Sequence, residues 1–255
     1  SAALASLLGG RLPRRHGVLD EQTPFDPAVL ELPLALRAAA RRTAAVLGPE
    51  LGGRPSWTQA FEESSVRADD AERIDWARRW LADEDSDQRP ALLWLHLSSW
   101  TEDWSLALEA GVDPEQVRER YDAALARLGT QMEALWPRDA AADRRITLLT
   151  ADHGWLLGER HGDYGHDGWL YEETLRVPLA LHDSEQALGA GRVGADVSLH
   201  DVPTTLGRLV GVPVKARDGA SDLLESVDTP PVRLAVFETF QAGSGFDQQA
   251  VLADR

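Results

Sequence analysis

The side chains best suited to chemistry are crowded into one short run. Three of the chain's seven histidines, His153, His161 and His166, lie within "TLLTADHGWLLGERHGDYGHDGWLYEE", residues 147–173. Asp152 brings a hard carboxylate oxygen and His153, next to it, a ring nitrogen, so the pair suits a divalent cation. His166 changes charge near neutral pH and is a candidate general acid or anion contact. Gly154 would permit a sharp turn, and Gly158, Gly162, Gly165 and Gly168 make the following stretch a loop that can approach a ligand closely. Singly, an Asp at a strand end is most often a turn former or cap, and a loop His is most often solvated. Their conjunction in one segment points to a site.

Position strengthens that reading. The run opens on "RRITLLT", 144–150, an apolar segment that reads as a strand, so Asp152 and His153 fall just beyond its carboxyl end. Open α/β sheets bind their ligands at that edge. Further strands are expected at "TAAVLG" running into Gly48-Pro49, at "ALLWLHL" (91–97), at 176–182 and at 233–240. Helices are expected at the start of 1–18, ending at Gly9-Gly10, and in 31–39, with Leu34, Leu36, Ala38 and Ala39 facing a core. Another is expected over 70–82, with Asp70 as N-cap and Ile74, Ala77 and Leu81 on one face. The run 113–135 starts on Asp113-Pro114, which caps and opens a long helix, and 201–213 reads as a short helix ending at Gly211. Residues 54–68 show no clear period and read as loop. Strands alternating with helices imply an α/β fold, a large mostly parallel sheet sandwiched by helices. The division expected is 1–215 as one domain and the polar, turn-rich 216–255 as the start of a second unit.

Bulk composition narrows the partners. Lys and Arg number 26 against 42 Asp and Glu, a net charge of 26 − 42 = −16. Such a surface repels nucleic-acid phosphates and anionic membranes. An anionic substrate would need local positive charge at its site, which a metal ion supplies. The chain has no cysteine, so disulfides and thiolate sites are absent, and the compartment stays open, export included. No apolar run reaches the roughly 20 residues of a membrane span, and no signal-peptide pattern opens the chain. The only methionine is Met132, so a processed chain or a fragment is expected.

"TADHGWLLGERHGDYGHDGWLYEETLRVPLALHD" resembles a segment of the sulfatases in the alkaline-phosphatase-like superfamily: Asp-(His/Asn)-Gly, then Gly-Glu, Gly-(Lys/His), Tyr-Glu-Glu and Arg-Val-Pro. "ASLLGGRLPRRHGV" is similar to the helix after the family's nucleophile motif, "VSLHDVPTTLGRLVGVPV" to its Asp-x-x-Pro-Thr helix, and "AVFET" and "AVLADR" to its small C-terminal sheet. The resemblance implies a chain truncated at both ends, with a small antiparallel C-terminal unit. It implies hydrolysis of a small-molecule or glycan sulfate ester. It further implies a divalent metal, most often Ca2+, with Asp152 and His153 among its ligands and His166 on the sulfate. A formylglycine nucleophile would lie outside this chain, one position before Ser1.

The sequence also departs from that pattern. The family's Pro and Arg after the nucleophile fall at Ala2 and Leu4, and its two upstream Asp ligands have no counterpart. Its Gly-Lys-Trp-His element is missing from 44–58, and "SSWTEDW" carries no histidine after His96. His96, within the apolar strand, then reads as a core histidine with a structural partner. Arg11 and His16 read as a surface cap and a turn residue, and Arg41 and Arg42 as a solvated helix end. Trp76, Trp80, Trp100 and Trp104 read as packing residues, and Glu172 with Arg176 as a structural ion pair. Two alternatives stand beside the sulfatase: a phosphodiesterase or phosphoethanolamine-transferase-like relative, and an inactive protein that keeps the fold.

Overall fold

The computed structural model describes residues 2–20, 24–83, 89–101, 113–136, 144–166, 170–225, 234–240 and 247–253. At its centre is a parallel sheet in the order β2-β1-β3. β1 (Arg42–Leu47) is the middle strand, and all of it after Arg42 is buried, as its small and branched apolar residues require. β3 (Ala91–Leu95) pairs along one side, with Val46 opposite Leu95; β2 (Glu63–Val66) pairs along the other, with Leu47 opposite Val66. All three strands therefore present their carboxyl ends at the same edge. β2 corrects the expectation of a loop over 54–68. "ESSV" has no apolar alternation because it is an edge strand with only Ser65 buried, and its pairing with β1 defines it. A single helical turn, Pro55–Thr58, precedes it.

Around this sheet lie α1 (Ala2–Gly9), α3 (Glu31–Ala38) and α6 (Asp70–Leu81), with the one-turn helices α2 (Pro13–His16), α4 (Pro49–Gly52) and α5 (Pro55–Thr58) between them. α1 stops where Gly10 takes φ 66°, as the Gly9-Gly10 pair foretold. The cap of α6 is Asp69, whose carboxylate accepts from the N–H groups of Ala71 and Glu72; Asp70 is buried and used elsewhere. α7 (Pro114–Met132) starts on the Asp113 cap with Pro114 at its first position, and turns Val117, Ala124 and Leu128 inward.

The main core joins Leu4, Leu7 and Leu8 of α1 to Ala45 and Leu47 of β1 and to Trp57, Phe61 and Trp94. Trp57 and Phe61 each lie 5.7 Å from Trp94, centroid to centroid. Each fully buried Leu or Val stabilises the fold by roughly 1.5–3 kcal/mol relative to exposure. Leu148 of β4 (Ile146–Thr150) and Leu179 of β7 (Leu179–Asp183) pack on the same core. These two strands pair antiparallel, Ile146 opposite Asp183. A parallel return needs a long crossover, usually a helix. Here the connection forms a hairpin of β5 (Leu156–Leu157) and β6 (Tyr164–Gly165) and the single turn α8 (Glu172–Leu175). The α/β class holds, with the sheet system mixed and its parallel part confined to three strands. α9 (Val202–Leu209) follows, with Gly211 at φ 71° beyond it. β8 (Leu234–Phe240) and β9 (Asp247–Ala253) close the described chain as an antiparallel pair. Among the described residues no helix is long and apolar enough to cross a membrane.

Candidate active site

β4 delivers the chain to the site. At its end Thr150 Oγ1 donates to the Pro178 carbonyl at 2.7 Å, and Gly154 N–H donates to the Thr174 carbonyl at 2.8 Å. The loop 151–154 is thus clamped against the segment that leads into β7. Gly154 is needed for a reason other than the sharp turn expected of it. A Cβ there would collide with the Glu173 carbonyl, so the requirement is close approach of two backbones.

On this clamp sit the residues singled out by type. His153 N–H donates to Asp152 Oδ1 at 3.1 Å, and His153 Nε2 lies 3.7 Å from the same oxygen. His153 Nδ1 is 2.9 Å from the Gly154 carbonyl. A carbonyl only accepts, so Nδ1 carries a hydrogen, and Nε2 is the ring nitrogen left to face Asp152. Metal-binding histidines are set up this way, the second nitrogen donating to a carbonyl so that the first is free to ligate. Ligands of one divalent ion at about 2.0–2.6 Å from the metal stand about 3–4 Å apart, and 3.7 Å falls in that range. The two donors fit a metal, as part of a set. Among the described residues no group of three or more His, Cys, Asp or Glu side chains gathers as a metal site.

His166 joins the pair from across the hairpin. Its ring stacks on His153 with centroids 3.7 Å apart and planes 19° from parallel, and Trp155 meets it edge-on at 4.8 Å. Trp155 in turn shares an apolar cluster with Trp100, Tyr121 and Tyr164 against Val117 and Ala124 of α7. The structure therefore unites Asp152, His153 and His166. His161 is exposed at φ 54° in the turn between β5 and β6. Glu172 and Arg176 form an exposed ion pair of 2.7 Å, the structural role expected of them. Gly168 and Trp104 lie outside the described residues.

A second polar cluster lies at the carboxyl ends of β1 and β3, and sequence reasoning missed it. Arg73 of α6 is fully buried. It donates to Asp70 Oδ1 at 2.8 Å, to Ser98 Oγ at 2.7 Å and to the carbonyls of Arg67, Ala68 and His96. Asp70 also accepts from the N–H groups of Ser98 and Trp100. Glu50, from the turn after β1, takes the Ser98 hydroxyl at 2.6 Å on Oε1 and lies 3.5 Å from His96 Nδ1. A Cβ on Gly48 would collide with both the Glu50 carboxylate and the Arg73 guanidinium. Burial alone would raise the Glu50 pKa. The approach of His96, the hydrogen bonds from Ser98 and from its own backbone, and the charge of Arg73 outweigh it and bring the pKa down to about 2. His96 is therefore no core histidine within the strand. It follows the last β3 residue and faces a carboxylate, with Nδ1 buried and no hydrogen bond on it.

Two further readings need correction. His16 is buried rather than at a surface turn. Its Nδ1 accepts from Val18 N–H at 3.0 Å, so the neutral ring carries its hydrogen on Nε2 and donates to Ser6 Oγ of α1 at 3.0 Å. Burial holds its pKa down at about 4, against an opposing hydrogen bond to the Ala2 carbonyl. Arg42 is not solvated. It lies 4.4 Å above the Trp80 ring and 3.8 Å from Glu63, with its side chain 11% exposed.

No family model and no curated protein matches the sequence. Solved structures do match. BT4656, solved in complex with its substrate D-glucosamine-2-N,6-O-disulfate, superposes with a TM-score of 0.69 over 99% of this chain and 77% of that one, at 15% identity. The phosphonate monoester hydrolase of Agrobacterium radiobacter gives 0.68 over 96% of this chain and 72% of that one, at 17% identity. The lipoteichoic acid synthase LtaP of Listeria monocytogenes gives 0.55 over 88% and 61%, at 13% identity. Sulfatases and phosphonate monoester hydrolases are thus among the neighbours, and the chain has the alkaline-phosphatase-like fold that they share.

Proposed function

We propose that the chain is a sulfatase-like hydrolase that cleaves a sulfate ester with the help of a divalent metal. The observation that carries this reading is the approach of Asp152 Oδ1 and His153 Nε2 to 3.7 Å, with His166 stacked alongside. Asp152 and His153 would hold the metal, taken as Ca2+ from the resemblance, and the bound ion would put positive charge on the developing oxyanion. His166 donates a hydrogen bond to a sulfate oxygen or a proton to the leaving alcohol. A net charge of −16 makes such local positive charge necessary for an anionic ester. Residues 1–215 form the catalytic domain on this reading, and 216–255 begin a small C-terminal unit. The sulfated sugar bound by BT4656 supports a glycan sulfate as the substrate class.

A second reading, transfer or hydrolysis at phosphorus, is favoured by Ala2 and Leu4 standing where the sulfatase pattern has Pro and Arg. The phosphonate monoester hydrolase and the lipoteichoic acid synthase among the neighbours support it too. Metal content by mass spectrometry and turnover of 4-nitrophenyl sulfate, phosphate and phenylphosphonate decide between them. The expected outcome is retained metal and preferred sulfate turnover, with the metal lost in Asp152→Ala and His153→Ala. Preferred turnover of a phosphorus ester selects the second reading. No metal and no turnover leaves a protein that keeps the fold without the reaction.

A further inference from the structure

The polar cluster at the carboxyl ends of β1 and β3 is built for more than support. Asp70 and Arg73 neutralise each other, buried and bonded on every side. Glu50 is left over as an excess negative charge. Its Oε1 takes the Ser98 hydroxyl, its own backbone N–H adds a hydrogen bond, and its side chain is 43% exposed. His96 Nδ1 faces it at 3.5 Å with no hydrogen bond of its own. The Glu50 carboxylate and the Arg73 guanidinium both lie close over the Cα of Gly48, where a Cβ would meet them. Open α/β sheets bind their ligands at this edge, the carboxyl ends of their strands. A chain of contacts joins it to the first site: Asp70 accepts from the Trp100 N–H, and the Trp100 ring clusters with Trp155, which packs against His166.

We propose that Glu50, flanked by His96 and Ser98, is a specificity residue of the site: it receives an ammonium or hydroxyl group on the alcohol part of the substrate ester and turns away a second anionic group. The proposal rests on the ester-hydrolase reading and adds to it the charge of the group beside the scissile ester. An ionised, partly exposed carboxylate is an acceptor for N–H or O–H donors and repels carboxylate or sulfate. Ser98 fixes its orientation, and Arg73 fixes Ser98, so the charge is presented with little freedom to lose on binding.

The test uses three aryl esters of the kind the protein turns over, carrying an aminomethyl, a hydroxymethyl or a carboxylate group on the ring. The expected order of kcat/KM is ammonium, then hydroxyl, then carboxylate, with about tenfold or more between the extremes carried mainly by KM. Glu50→Gln should bring the ammonium-to-carboxylate ratio to near one, and Glu50→Asp should keep the order. A wild-type ratio of one, or a ratio unchanged in Glu50→Gln, overturns the proposal. If no ester of any kind is turned over, the hydrolase reading fails, and benzylammonium and benzoate titrated against the His96 ring signals by NMR decide the subsite alone. A response to benzylammonium only, abolished in Glu50→Gln, upholds it; no response, or the same response to both, overturns it.

Discussion

The loop after β4 and the cluster at the ends of β1 and β3 are both polar and both at strand ends, yet they are wired in opposite ways. In the loop, neighbours in sequence meet one another: Asp152 binds the His153 backbone, and Nε2 of the His153 ring stands beside the same carboxylate. In the cluster, residues from several segments bond one another, and Arg73 alone donates to five partners. Open valence is what a ligand or substrate needs, whereas closed valence fixes a frame. Function is expected in the loop and rigidity in the cluster, with Glu50 the one member of the cluster whose charge is not balanced inside it.

The largest effect should come from the open side. His166→Ala removes a proton donor from a site already formed by the hairpin, and positioned acids and bases contribute about 10²–10⁴-fold to rate. Its turnover should fall by that order while circular dichroism and the thermal midpoint stay close to wild type. Unchanged turnover would take His166 out of the site and erase the contrast. The closed side should respond in the reverse sense. Arg73→Met leaves Asp70 charged and unpaired in the interior, which costs about 3–5 kcal/mol. Adding Asp70→Asn should recover part of that loss in denaturant titrations. Full stability in Arg73→Met would mean that the cluster is wet and mobile rather than a frame.

The same contrast explains what could be read from the chain in advance. The Asp152-His153-Gly154 run was visible because its members are consecutive and follow an apolar strand, so chemistry and position coincide in one segment. The long helix from Asp113-Pro114 and the stop of α1 at Gly10 were visible for a similar reason, as local capping rules decide them. The Glu50–Arg73–Ser98 cluster was invisible because its members come from three elements that meet only when β1 and β3 pair. β2 was lost because an edge strand owes its existence to its neighbour. Asp70 was taken for the cap since Asp69 and Asp70 are chemically equal in sequence, and only the fold sends one outward and the other to Arg73.

His16 extends the comparison to a third, smaller closed site. Both ring nitrogens are spent inside the protein, on Val18 and Ser6. The folded pKa, about 4, lies below the ordinary value of 6.5. The stabilisation that depends on the neutral ring is therefore present above pH 6.5 and is lost as pH falls from there through 4. That difference corresponds to about 3 kcal/mol at most. His16→Gln should flatten this limb of the stability curve, and NMR should find one imidazole that titrates near pH 4 and takes α1 with it. A His16 that titrates near 6.5 would show the pair to be open to solvent.

The smallest effect separates motif from mechanism. Arg176 lies within the run that resembles the sulfatases, directly after the helical turn that clamps Gly154. If membership in the run were what mattered, Arg176→Ala would damage activity as His166→Ala does. The geometry says otherwise: Arg176 pairs with the exposed carboxylate of Glu172, one helical turn back, and its side chain is 76% exposed. Exposed pairs of this spacing contribute little, because both charges are well solvated when apart. Arg176→Ala should therefore leave both kcat/KM and the thermal midpoint within error of wild type. A tenfold fall in kcat/KM at unchanged stability would place Arg176 against the substrate and move the boundary of the open region from His166 to the start of β7.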